Sequence, residues 1–308
     1  MALIKTGPRA ARPRVSRLAL IEGVQGYLFA APFIIGFLVF TAYPMLYSVY
    51  LVFQHWDLIG PPRPAGLDNL ARLLEDPNAR LALGNTLFYT ALAVPGQIVI
   101  AFVLALALTQ RLRFRALYRA GFYLPIIVPM VASAIVWQRV FHPEQGILNI
   151  GLGAVGLPQP AWLQDPLLAR LAFVLMSFWM IGRQMVVFIA GLAAIPRPLL
   201  EAASIDGAGP LQRLWSVVVP LMTPLILYNT VIAVVNSFQI FIPALIMTQG
   251  GPENATLFSV LYIYRQGFEF FNMGYAAALA WELFALVIGF TLVQFYLSRR
   301  WVYYGDEP

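Results

Sequence analysis

The chain has 308 residues, of which 60% are hydrophobic and 11% charged, with a formal net charge of +6 and no cysteine. A soluble globular protein carries about a quarter charged residues, so this composition points to a membrane protein. The missing thiols exclude disulfides, thiol catalysis and Cys-based metal sites.

The chain opens on Lys5, Arg9, Arg12, Arg14 and Arg17, followed by a stretch at 27–53 without a charge. A secretory signal has an apolar core of about 7–15 residues and a small-residue cleavage site. The longer stretch is therefore expected to be a retained first span. A bilayer crossing needs about 20 apolar residues. Six stretches meet that length: 27–53, 83–109, 119–138, 171–195, 218–247 and 273–297. Arg183 and Glu282 each interrupt one of them. Pro32, Pro44, Pro95, Pro125, Pro129, Pro224 and Pro243 fall in or near them, which transmembrane helices tolerate because neighbouring groups re-satisfy the freed carbonyls. The fifth stretch exceeds one straight span and is expected to include an interfacial turn before Pro220.

Arginine placement gives an orientation. Arg111, Arg113, Arg115, Arg119, Arg197, Arg213, Arg299 and Arg300 join the basic N-terminus on one side, against Arg63, Arg72, Arg80, Arg139 and Arg265 on the other. The richer side is expected to be cytoplasmic, with both termini inside. The expectation is an all-α, polytopic membrane protein: a tail over 1–26, a six-helix transmembrane domain over 27–298 and a tail over 299–308. The basic excess clusters between apolar runs, which argues against nucleic acid. The opposite loops, 54–82 and 139–170, can hold short interfacial helices.

Several chemistries lack their residues. The sole lysine is Lys5, so no Walker A loop exists here. His55 and His142 are far apart in sequence and make a poor metal pair, and no Ser/His/Asp spacing suggests hydrolysis.

The segment 196–220 is the most informative loop. Pro198 suits a first helical turn, 199–205 can form about two turns, Gly207 or Gly209 can end them with positive φ, and Pro210 can start the next helix. Ala202 and Ala203 keep the surface flat enough for a groove, and Glu201 offers a carboxylate. On physics alone this is equally an ordinary interfacial loop with capping glycines. Within the spans, Asn229 and Asn236 share a helical face, joined by Gln239, Arg183, Gln184, Trp281 and Glu282. These either line a polar path through the membrane, where amides and carboxylates bond a solute and an indole offers a flat apolar face, or lock helices together. Arg183 and Glu282 either form a buried pair or admit a substrate with a charged group. Gly250-Gly251-Pro252 allows a tight turn.

Glu201-Ala202-Ala203, Gly207 six residues after Glu201, and the ending at Pro220 resemble the EAA loop of ABC importer permeases. The fuller form from Ile195-Pro196 to Ala208 resembles the maltose-type, carbohydrate-uptake permeases. The likeness extends through Tyr27–Pro44, Asn85-Thr86-Leu87, Tyr123-Leu124-Pro125, Trp137…Asn149, Thr248…Thr256, Tyr262-Ile263-Tyr264, Gly274-Tyr275 and Arg299…Tyr304. The resemblance implies a type I ABC importer permease fold and alternating access for a sugar or similar polar solute. It makes 201–207 a helix docking into an ATPase, with Glu201, Ala202, Ala203, Asp206 and Gly207 as its residues. It implies as partners a second permease, two ATPase subunits that bind the ATP and Mg, an extracytoplasmic solute-binding protein and the bilayer, with no cofactor in this chain. Gly250, Gly251 and Pro252 become a gate or binding-protein loop, or a plain turn. The alternatives are an ion-gradient-driven transporter using Arg183 and Glu282 as a relay, a glycerol-phosphate-type permease, and a membrane scaffold that transports nothing.

Overall fold

The computed structural model describes residues 17–110 and 112–303. Lys5, Arg9, Arg12, Arg14, Arg111 and Tyr304 lie outside them. The chain divides into two compact units, Met1–Tyr50 and Leu51–Pro308.

The first unit is built on one helix. α1 (Arg17–Phe37) passes through a π-turn (Leu38–Ala42) into α2 (Tyr43–Val52). Its most apolar window is wholly unburied within the molecule; Phe29 is 86% exposed and Phe40 81%. An apolar surface on every side suits lipid or another apolar helix.

The second unit begins with an antiparallel ribbon, β1 (Gln54–His55) against β2 (Arg63–Pro64), which departs from the all-α expectation. It forms because the chain reverses around Asp57, whose carboxylate accepts from the amides of Ile59 and Gly60. Those amide bonds hold the Asp57 carboxyl below its usual range. A short amphipathic α3 (Asp68–Glu75) follows in this loop.

α4 (Pro77–Thr109) is the central span. Asp76 caps it by accepting from Asn78 and Ala79, with Pro77 in the first turn, where its missing N–H costs nothing. Ala93, Ala101 and Ala105 are fully buried, because small residues let helix backbones approach. α4 packs against α8 (Pro166–Phe178), α9 (Gly182–Ala194) and α12 (Val219–Phe238). At Gly96 a Cβ would stand 2.5 Å from the Phe178 ring, so glycine sets the α4–α8 spacing.

Two expected spans are bent. α5 (Arg115–Ile127) and α6 (Met130–Val140) meet at 105°. Pro129 drives Val128, the residue before it, into extended backbone (ψ 128°). α7 (Ile147–Ala154) lies in the loop that follows. α8 repeats the Asp-Pro start, Asp165 accepting from Leu167 and Leu168, and meets α9 at 44°.

The fifth span differs from expectation. α10 (Arg197–Ile205) leads to α11 (Pro210–Arg213), a π-turn (Leu214–Val218) and α12 without an interfacial turn before Pro220. Pro220 is the second residue of α12 and directly follows the π-turn, inside a helical run that continues from α11. The break falls instead at Gln239–Phe241, ahead of α13 (Ile242–Met247) with Pro243 in its first turn. α14 (Ser259–Tyr264), a further π-turn (Arg265–Glu269) and α15 (Met273–Ser298) complete the chain. Among the described residues four helices are long and apolar enough to cross a membrane, or up to six if each bent pair counts as one span.

Candidate functional site

The segment after α9 folds as an exposed elbow. Ile195 and Pro196 are extended, Pro198 occupies the first turn of α10, and the helix ends in a left-handed glycine, Gly207 (φ +83°). The Ala208 amide bonds back to the Ala203 carbonyl at 2.9 Å and the Gly207 amide to Ser204 at 3.1 Å, closing the orphan carbonyls. Gly209 stays in ordinary backbone (φ −67°), so the stop belongs to Gly207 alone. Arg213 donates to Ser204 Oγ at 2.7 Å, tying α10 to α11. Glu201, Ala202, Asp206 and Gly207 are exposed and Ala203 is half-buried. Ile205 is 86% exposed, an apolar side chain with nothing over it.

A cavity of about 520 Å³ opens between α4, α5, α6, α8, α9, α12 and α13, within the roughly 300–1,000 Å³ typical of ligand pockets. Arg183, Gln184, Asn229, Asn236 and Gln239 all line it. The seven-residue spacing of Asn229 and Asn236 puts both on its wall, and the break after α12 exposes Gln239 to it. Gln97, which pattern reading missed, also lines the cavity and accepts from Gln184 Nε2 at 3.3 Å. Tyr89, Tyr228 and Phe241 add aromatic surface.

Two candidate path residues lie elsewhere. Glu282 lines a separate pocket of about 10 Å³ between α4, α14 and α15. Trp281 packs edge-to-face on Phe284, ring centroids 5.0 Å apart, and is not among the cavity-lining residues. Among the described residues no ion pair joins Arg183 and Glu282. The reason is topological: Glu282 lies on α15, which packs on α3, α12 and α14, whereas Arg183 lies in the first turn of α9, which packs on α4, α5 and α12.

Gly250, Gly251 and Pro252 form a folded-back turn. Gly250 is buried with φ +82°, the Gly251 amide donates to the Thr248 carbonyl, and Thr256 Oγ1 donates to the Gly251 carbonyl at 2.7 Å. The outward tip is Glu253 and Asn254, both exposed.

A polar cluster at the α4 start escaped pattern reading. Tyr262 and Tyr275 both donate to Asp76 Oδ2, at 2.5 and 2.6 Å, and Arg72 stacks on the Tyr275 ring at 4.0 Å. Burial pushes the Asp76 carboxyl up, but the bonds from Tyr262, Tyr275, Asn78 and Ala79 outweigh it, leaving the group below its usual range. Burial, then the adjoining carboxylate, pushes Tyr262 up to about 12. Asn85 likewise donates to the carbonyls of Asn254 and Leu257, and Trp162 donates to Asn149. The Asp76 and Asn85 bonds lock segments distant in sequence, whereas the Trp162–Asn149 bond closes the loop after α7. Among the described residues no cluster of three or more His, Asp or Glu side chains is placed to hold a metal.

Apolar helices folded around a polar cavity, with an exposed elbow between two of them, define a membrane transport permease. Residues 97–303 match the family of binding-protein-dependent transport system inner membrane components, and the chain belongs to that family. It is 39% identical over 307 residues to the probable ABC transporter permease protein YesP of Bacillus subtilis (strain 168), covering 98% of this chain and 99% of that protein. It is 34% identical over 294 residues to the lactose transport system permease protein LacF of Rhizobium radiobacter, covering 92% and 97%. It is also 34% identical over 289 residues to the sn-glycerol-3-phosphate transport system permease protein UgpA of Agrobacterium fabrum, covering 91% and 96%. The fold matches a chain of a bacterial alginate ABC transporter crystallised with an alginate pentasaccharide-bound periplasmic protein: TM-score 0.81, 22% identity, 93% of this chain and 98% of that one. The protein is an inner-membrane ABC permease.

Proposed function

We propose that this permease crosses the membrane six times with both termini in the cytoplasm, each bent pair counting as one span, and carries a sugar or similar polar solute through the cavity. The arginine bias supports the orientation. The relatives named for lactose and arabinooligosaccharide transport support a sugar; the one named for sn-glycerol 3-phosphate keeps that solute in the class.

The observation that carries the reading is the elbow at α10. A short rigid helix, closed by Gly207 and pinned by Arg213, stands clear of the bundle with Glu201, Ala202 and Asp206 exposed. It suits docking into a groove of a separate ATPase, which supplies the ATP and Mg chemistry that a chain with one lysine lacks. Two ATPase subunits, a second permease and an extracytoplasmic binding protein complete the assembly; the alginate transporter crystallised with its periplasmic protein supports the last. ATP draws the docked helices together, α11 and the π-turn pass the motion into α12, and Asn229, Asn236 and Gln239 on α12 carry it to the cavity. The turn at Gly250 positions Glu253 and Asn254 as the contact for the binding protein.

An ion-gradient relay through Arg183 and Glu282 loses support, since the two residues line separate spaces. Reconstitution tests the reading directly. Uptake into proteoliposomes is expected only with ATP, the ATPase subunits and the binding protein together. Uptake by this chain alone under a proton or sodium gradient overturns it.

A further inference from the structure

Among the described residues lining the cavity, Arg183 is the one charged side chain; no Asp or Glu lines it. Arg183 is exposed to that space and makes no hydrogen bond or ion pair with any described residue. A guanidinium inside a membrane protein is costly unless it faces water, a counter-charge or a ligand. The polar groups around it are also incomplete. Asn229 is 3% exposed, and its buried Nδ2 finds no acceptor. The Oε1 of Gln184 finds no donor. Buried polar atoms without partners are rare and ask for an explanation. Arg183 also stands in the first turn of α9, where no side chain caps the helix and the positive end of its dipole lies.

We infer that the cavity is built for a hydroxyl-rich solute carrying an anionic group, read by Arg183, with Asn229 and Gln184 completing the recognition. The inference rests on the transport reading of the same cavity. A guanidinium presents a planar fork that matches a carboxylate or a phosphate with two parallel bonds. Asn229 adds a donor suited to the same anion or to a ring oxygen, and Gln184 Oε1 an acceptor for a hydroxyl. The volume of about 520 Å³ and the faces of Tyr228 and Phe241 suit an acidic saccharide; a glycerol phosphate would bring the same anionic chemistry in a smaller body.

The test is direct binding to the nucleotide-free complex of both permeases and the ATPase subunits, without binding protein, so that the binding protein's own preference is excluded. Three probes are titrated: digalacturonate, the neutral digalactose of the same linkage, and sn-glycerol 3-phosphate. An anionic probe is expected to bind at least about tenfold more tightly than digalactose, and which one does so assigns the group as carboxylate or phosphate. Arg183→Gln is expected to weaken binding of the preferred anion at least about tenfold more than binding of digalactose, and Arg183→Lys to retain part of the preference. Equal binding of digalactose and both anions to the unaltered complex overturns the inference. So does an equal loss for charged and neutral probes in Arg183→Gln, which makes the guanidinium structural or neutralised by the second permease. Stimulation of ATP hydrolysis by loaded binding protein is read in the same preparations. If stimulation persists without charge preference, only this inference fails; if no ATPase associates with the chain, the transport reading fails.

Discussion

Asp76 joins three segments through one carboxylate: it caps α4 and accepts from Tyr262 and Tyr275. Removing its charge leaves two buried phenols with a weaker acceptor. Asp76→Asn is expected to lower stability by about 1–2 kcal/mol, the low end for charged hydrogen bonds because the site is partly open to solvent; thermal unfolding in detergent measures it. Because the folded carboxyl titrates below its unfolded value, its contribution is full above the unfolded range of about 4 and is lost as pH falls through the folded value. The wild type is therefore expected to lose stability on acidification below about pH 4 more steeply than Asp76→Asn. The Arg183 and Glu282 sites carry a second expectation at this scale. Occupying separate spaces, they should behave independently, their single-mutant effects on stability summing within about 0.5 kcal/mol in the double mutant. A larger coupling restores the ion pair. Spacing placed Asn229, Asn236 and Gln239 on one wall because helical periodicity is local. Charge alone leaves open whether Arg183 pairs with Glu282, because which helices touch is a matter of topology. Asp76 went unread because its partners lie 186 and 199 residues away.

At the scale of elements, α10 and its glycine stop were legible from sequence, since prolines and glycines dictate backbone geometry residue by residue. Gly207 at φ +83° has open space around its missing side chain, so substitution there strains backbone without creating a clash. Gly207→Val, β-branched in a left-handed position, is expected to disorder the elbow and abolish uptake while the complex still assembles. Gly207→Asn, which tolerates that region, should retain most activity. A bulky residue at Glu201 is expected to uncouple transport in the same way. Normal cargo-stimulated ATP hydrolysis and uptake in Gly207→Val would remove the elbow from the mechanism. The bends were less legible. Hydrophobic length registers a crossing whether straight or broken, so 119–138 and 171–195 read as plain spans, although Pro129 held the cue for the 105° turn. The fifth span failed in the opposite direction. Proline is a poor sign of a turn there: Pro220 and Pro224 are absorbed into α12 and the break is at Gln239–Phe241.

At the scale of the molecule, the unburied apolar faces of α1 and α2 and the polar cavity describe one part of a larger assembly. The absence of cysteine from the sequence makes orientation easy to test. Single cysteines at Ser204 and Asn254, both exposed, are expected to react with a membrane-impermeant maleimide from opposite sides: Ser204→Cys after permeabilisation of the inner membrane, Asn254→Cys in intact spheroplasts. Labelling of both from the same side rejects the six-span arrangement. The central claim is that α10 is the surface through which a separate ATPase drives this permease. The direct test is Ala202→Cys carrying a short photo-activated cross-linker in the assembled complex. The account expects a covalent adduct between this chain and an ATPase subunit, absent when the same reagent is carried at Asn254→Cys. No adduct from Ala202→Cys in a complex that still hydrolyses ATP in response to cargo contradicts it.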